Sequence, residues 1–141
     1  SHGMRSSAMR LLRFLALCAA ASAQVELTSD NFAQASHMPV AWLIHLDSGG
    51  MQRLGEVVAQ CSEFYNRQHP EMETRVGRVN LATQPGLQKI FCPNAHERAC
   101  PPVVLLPSWS GGRGRLEETR SQIYTGGIQL QELVTWVEAT K

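Results

Sequence analysis

Three groupings of residues in this chain could do chemistry. His45, Asp47 and Ser48 are the residue types of a base, an orienting acid and a nucleophile, and they stand close together. In an extended strand side chains alternate, so His45 and Asp47 share one face while Ser48 falls past the turn Asp47-Ser48-Gly49-Gly50. No third element fixes a triad, and hydrolase chemistry is not expected. Cys92, His96 and Cys100 stand at C-x3-H-x3-C spacing, which supplies three ligands to a metal but no fourth. No metal is expected there. Gly49 and Gly50 precede a helical pattern, where free backbone N–H groups could bind an anion. A turn that needs glycine's freedom is the reading preferred for them, and no cofactor is implied.

The compartment decides what the cysteines can be. Ser1-His2-Gly3 ahead of Met4 reads as an expression scar. Arg5, Arg10 and Arg13, the apolar run 14–20 and Ala21-Ser22-Ala23 form a basic region, a short hydrophobic core and a small-residue cleavage site. Those features predict a secretory signal peptide over 4–23, too short to remain as a membrane span. Arg13 inside the run leaves an amphipathic N-terminal helix as the other reading. The 141-residue chain is 43% hydrophobic and 18% charged, the balance of one soluble domain, here 24–141. A formal charge of +1 gives no reason to expect a nucleic-acid partner. Without residues 1–23, which carry three arginines and no acid, the formal charge becomes −2. Cys61, Cys92 and Cys100 then remain, enough for one disulfide and one leftover thiol in an oxidising compartment. The expected location is the endoplasmic reticulum lumen or the exterior, with no membrane contact after cleavage.

The elements that would position these residues are read from hydrophobic periodicity. Thr28 to Phe32 offers helix-start residues for a short helix over 29–36, closed by Pro39. Residues 40–46 form an apolar run of strand length, the mark of a strand covered on both faces. Leu54, Val57, Val58, Cys61 and Tyr65 recur at helical spacing and predict a helix bounded by Pro70, with Cys61 an inert thiol on its apolar face. Strands are predicted at 75–81, 103–106 and 121–124, and helices at 85–91 and from Leu130 to Val137, with a short strand at 25–27. Residues 109–115 are glycine-rich and basic, a loop whose Trp109 could dock a partner. Strands separated by helices imply parallel pairing, and the last two, joined by a loop, antiparallel pairing. The class is α/β, a mixed central sheet with helices on both faces.

That order resembles the thioredoxin-like fold, and several stretches are similar to a domain of the protein disulfide isomerase family. Val25-Glu26-Leu27-Thr28 with Asn31-Phe32 resembles the family's opening strand and helix start. Residues 40–46 resemble its central strand, and Leu87 with Phe91 its short third helix. Pro102-Val103-Val104 resembles the loop and strand that begin with its cis-proline, so the bond before Pro102, or else Pro101, is expected to be cis. Tyr124-x-Gly126 followed by Leu130, Leu133 and Val137 resembles its closing strand, turn and helix.

The departures carry the functional reading. Ser48-Gly49-Gly50-Met51 stands where the family has its Cys-Gly-His-Cys motif. Dithiol exchange needs a thiolate to attack and a second thiol to resolve. A serine hydroxyl and a methionine thioether supply neither. Trp42 falls at the family's buried acidic position, removing its proton acceptor. Phe91 and Pro102 enclose ten residues, 92–101, a longer loop than the family's, bracketed by Cys92 and Cys100. The resemblance thus implies a Cys92–Cys100 disulfide that staples an enlarged loop, with a displaced redox pair as the alternative. Resemblance and departures together imply a redox-inactive domain of the secretory pathway, without a catalytic residue. It would bind polypeptides or scaffold a complex through a groove formed by Ser48, Met51, Pro101 and Pro102. The competing expectation is an atypical oxidoreductase using Cys92 and Cys100.

Overall fold

The computed structural model describes residues 24–68, 74–93, 99–107 and 121–141. The signal peptide expected over 4–23, the helix boundary expected at Pro70, His96, and the loop expected over 109–115 lie outside them. The described residues form five strands and four helices. They are β1 (Val25–Glu26), α1 (Phe32–Ser36), β2 (Ala41–Asp47), α2 (Gln52–Gln68), β3 (Thr74–Asn80), α3 (Pro85–Phe91), β4 (Val103–Leu106), β5 (Gln122–Ile123) and α4 (Leu130–Thr140). The strands make one sheet in the order β1-β3-β2-β4-β5. β1 and β2 both run parallel to β3, β4 runs antiparallel to β2, and β5 antiparallel to β4.

The apolar run takes the centre of the sheet because both its faces are covered. Trp42, Ile44 and Leu46 pack with Phe32 of α1 and with Leu87 and Phe91 of α3. Ala41 and Leu43 pack with Leu54, Val58 and Cys61 of α2 and with Leu133 and Val137 of α4. β4 splits the same way, Val104 and Leu106 to the first face and Val103 and Leu105 to the second. Alternation of successive side chains thus divides one apolar run between two cores. No helix among the described residues is long and apolar enough to cross a membrane.

Three expectations are corrected. The first helix starts at Phe32, because Asn31 is engaged elsewhere. Its amide nitrogen donates to the Glu26 carbonyl at 2.7 Å, and its side-chain oxygen accepts from the Thr28 N–H at 2.8 Å. β4 is antiparallel to its neighbour although a helix precedes it. β3 ends with Asn80 opposite Asp47, and β4 begins with Val103 opposite His45, at that same end of the sheet. The connection over residues 81–102 enters β4 at that end, so β4 runs back against β2. The cis-proline expectation also fails: no peptide bond among the described residues is cis, so Pro101 and Pro102 both follow trans bonds. Trans is the ordinary preference before proline by about 0.5–1 kcal/mol. The Pro102 carbonyl already continues the ladder, accepting from the Leu46 N–H at 2.8 Å.

Candidate functional site

β2 delivers its last residues to a turn at the N-terminus of α2. There Ser48, Gly49, Gly50 and Met51 are all exposed. Asp47 shapes the turn by accepting from the Gly49 N–H at 2.8 Å, with Gly49 at φ +92°. Met51 takes φ +58°, a left-handed conformation uncommon for a residue with a side chain, and its carbonyl accepts from the Gly55 N–H at 3.1 Å to begin the helix. Its side chain is 55% exposed. No thiol stands at this helix N-terminus. Cys61 lies nine positions further along, fully buried.

Pro101 and Pro102, both half-buried, lie on the β4 side of β2. The Leu46–Pro102 hydrogen bond brings them to the end of the sheet that carries the 48–51 turn. Just before them Cys92 and Cys100 form a disulfide, with Cα atoms 5.4 Å apart. Cys92 is 7% exposed and packs in the core beside Phe91. Cys100 is half-buried against the same cluster, with the Gln88 amide 4.0 Å from its sulfur. Trp42, at the expected place of a buried acid, is 1% exposed and donates its indole N–H to the Ala35 carbonyl at 2.9 Å.

His45 and Asp47 do not converge on Ser48, which makes no hydrogen bond to a described residue. They belong instead to a row across the α2 face of the sheet. Glu26, Arg78, His45 and Val103 are consecutive ladder partners on β1, β3, β2 and β4. Arg78 joins two carboxylates, donating to Glu26 at 2.6 Å and, through Nε at 3.0 Å and Nη2, to Asp47. The Gly49 N–H, with help from Arg78, holds the Asp47 carboxyl below the usual carboxylate range. His45 is 6% exposed, and its ring lies against α2 at Gly55, where an added Cβ would come within 3.0 Å of Cε1. Burial lowers the His45 pKa, Asp47 opposes this and Arg78 adds to it. The sequence held two signals of this arrangement, a histidine inside an apolar strand and a glycine inside a helical pattern. Neither reveals the other, because the contact joins separate elements.

No family model matches the chain, and no curated protein matches it in sequence. Solved structures do match its fold. Human ERp44, in its zinc-bound form, superposes with a TM-score of 0.60 at 14% identity over 82% of this chain and 30% of that one. The Trx4 domain of ERdj5 gives 0.58 at 13% identity, covering 82% of this chain and 93% of the domain. The first thioredoxin domain of mouse protein disulfide-isomerase A4 gives 0.58 at 12% identity, covering 81% and 72%. This chain therefore has a thioredoxin-like fold, shared with domains of the protein disulfide isomerase family, and it spans 30% of the length of ERp44. Where the resemblance puts that family's dithiol, this chain carries Ser48 and Met51.

Proposed function

We propose that this protein is a redox-inactive domain of the protein disulfide isomerase type that works in the secretory pathway and binds polypeptide. The observation that carries the reading is the 48–51 turn. It keeps an exposed position at the start of a long helix, yet presents a hydroxyl, two glycines and a thioether in place of thiols. Met51 gives this surface an exposed apolar side chain at the end of the sheet that also carries Pro101 and Pro102, which suits an extended peptide. The burial of Cys92 supports a structural role for its disulfide, because exchange needs an attacking thiolate to reach a sulfur. The leader-like sequence over 4–23 supports entry into the secretory pathway.

Two measurements test this. Insulin reduction by the purified protein is expected to stay at the uncatalysed rate, and turnover typical of a Cys-Gly-His-Cys domain would refute the reading. Titration with unfolded polypeptides, followed by backbone amide shifts, is expected to perturb the 48–51 turn and residues 99–104. Met51→Asp should weaken that binding about tenfold by placing a charge on the apolar contact. Binding untouched by Met51→Asp would remove the groove from the proposal.

A further inference from the structure

The segment that carries the 48–51 turn is pinned to β2 at two places. Asp47 accepts from the Gly49 N–H at 2.8 Å, and the His45 ring lies against Gly55, its Cε1 3.0 Å from where a Cβ would sit. Between the pins Met51 holds φ +58°, and its carbonyl accepts from the Gly55 N–H at 3.1 Å. A left-handed backbone in a residue with a side chain persists only while its surroundings hold it there. His45 and Asp47 stand two positions apart on one face of β2, so both pins depend on neighbouring side chains.

The second pin suits only a neutral imidazole. His45 is 6% exposed, and its Nε2 exposes less than 1 Å² and has no hydrogen-bond partner. An imidazolium there would add a buried charge and an unmet N–H donor, a cost relieved by moving the ring or what covers it. The cover is the first turn of α2. The charged groups around the ring do not remove that cost. Burial opposes the proton most strongly, Asp47 on β2 favours it, and Arg78 on β3 opposes it. Glu56 on α2 lines an open cleft of about 430 Å³ together with Gln24, His45, Asp47 and Arg78, and Glu26 on β1 is engaged by Arg78. Val103, the ladder neighbour on β4, carries no charge.

We propose that His45 is a pH sensor for the 48–51 turn: on taking up a proton it turns away from Gly55, draws the Asp47 carboxylate off the Gly49 N–H and releases both pins. The inference rests on the reading that this turn binds polypeptide, and it adds how that binding is regulated. The proton arrives from water when the first turn of α2 opens, so the buried nitrogen needs no channel. The released form takes up its proton near the ordinary histidine value of 6.5, and the pinned form only at lower pH. Acidification therefore draws the equilibrium toward release. Met51 then leaves its left-handed geometry, and the apolar contact it offers is lost. A polypeptide held at the turn at neutral pH is let go on acidification.

The test titrates the intact protein, without a partner, from about pH 7.5 to about pH 5, following the His45 ring and the amides of Gly49, Met51 and Gly55 by NMR. Ring and amides are expected to move together with one midpoint below 6.5, while the amide of Val137 on α4 stays still. His45→Gln, neutral throughout that range, should hold the three turn amides still, and His45→Leu serves the same purpose if the first variant does not fold. Turn amides that ignore the His45 midpoint, or that still move in the variant, would overturn the proposal. An unfolded polypeptide without histidine or carboxylate side chains should bind the natural protein about tenfold more weakly at about pH 5 than at about pH 7.5, and the variant equally at both. Equal binding by the natural protein at both values would also overturn it. Absence of binding at about pH 7.5 is a failure of the polypeptide reading alone, since the response of the turn is read in the free protein.

Discussion

Single residues in this protein are tuned by what surrounds them. Cys61 has its thiol pushed up to about 12 by burial, with the Glu138 carboxylate adding to the effect. It should resist thiol reagents at neutral pH in the folded protein and react fully in denaturant, which mass mapping can read. Met51 holds a left-handed backbone while presenting an apolar side chain to solvent, a conformation that costs an L-residue about 1–2 kcal/mol. Met51→Gly should raise the denaturation midpoint while weakening polypeptide binding, so that stability and binding move in opposite directions. His45 has a folded-state pKa below its ordinary 6.5, so the unfolded chain takes up a proton more readily. Its contribution to stability is complete above that ordinary value and is lost as pH falls through it toward the folded pKa. Denaturant melts between about pH 7.5 and pH 5 should show this slope, and His45→Leu should flatten it. Unfolding midpoints that do not change across that range would contradict the account of His45.

At the scale of elements, α2 is the part whose sequence looks least favourable and whose role is largest. A glycine inside a helix costs about 1 kcal/mol relative to alanine, yet Gly55 stands one turn into α2. The reason is the His45 ring, 3.0 Å from where a Cβ would sit. Gly55→Ala should therefore give no helix-propensity gain in the natural protein, and up to about 1 kcal/mol in a His45→Ala background. Additive effects in that double-mutant cycle would show the contact to be energetically idle. The Cys92–Cys100 bridge closes a short loop between α3 and β4 and does not link distant parts of the core. Removing it with Cys92→Ala/Cys100→Ala should lower stability by roughly 2–3 kcal/mol in thermal melts and leave the fold standing. Strands and long helices are legible in the sequence because burial imposes their periodicity. Residues 103–106 and 85–91 match β4 and α3 to the residue. The direction of β4 is not legible. It depends on which end of the sheet the connection over residues 81–102 enters, a property of the folded path that no residue pattern records.

The whole molecule shows why the candidate site is only half readable from sequence. The 48–51 turn announces itself through missing thiols at a place fixed by the order of elements, and that order survives when sequence identity does not. The cleft beside it is assembled from β2, β3, α2 and the residue just before β1, through His45, Arg78, Glu56 and Gln24. No two of those four are close in sequence, so only the folded arrangement reveals that their polar groups converge. The proline geometry escapes the sequence for a related reason. The resemblance supplied a cis bond, but the loop before Pro102 is longer here and enters the strand in trans.

Among the described residues the sheet also ends abruptly on both sides. Its outer strands, Val25–Glu26 and Gln122–Ile123, are two residues each, against seven in the central pair β2 and β3. An incoming strand from another chain would find only one or two free backbone groups on either border before the strand ends. A template so short cannot seed stacking of identical molecules. On the proposed reading this protein holds extended segments of other chains, which exposes it to recruitment into their aggregates. Its sheet borders give those segments almost nothing to extend, so capture would be confined to side-chain contacts at the turn, where it can be reversed.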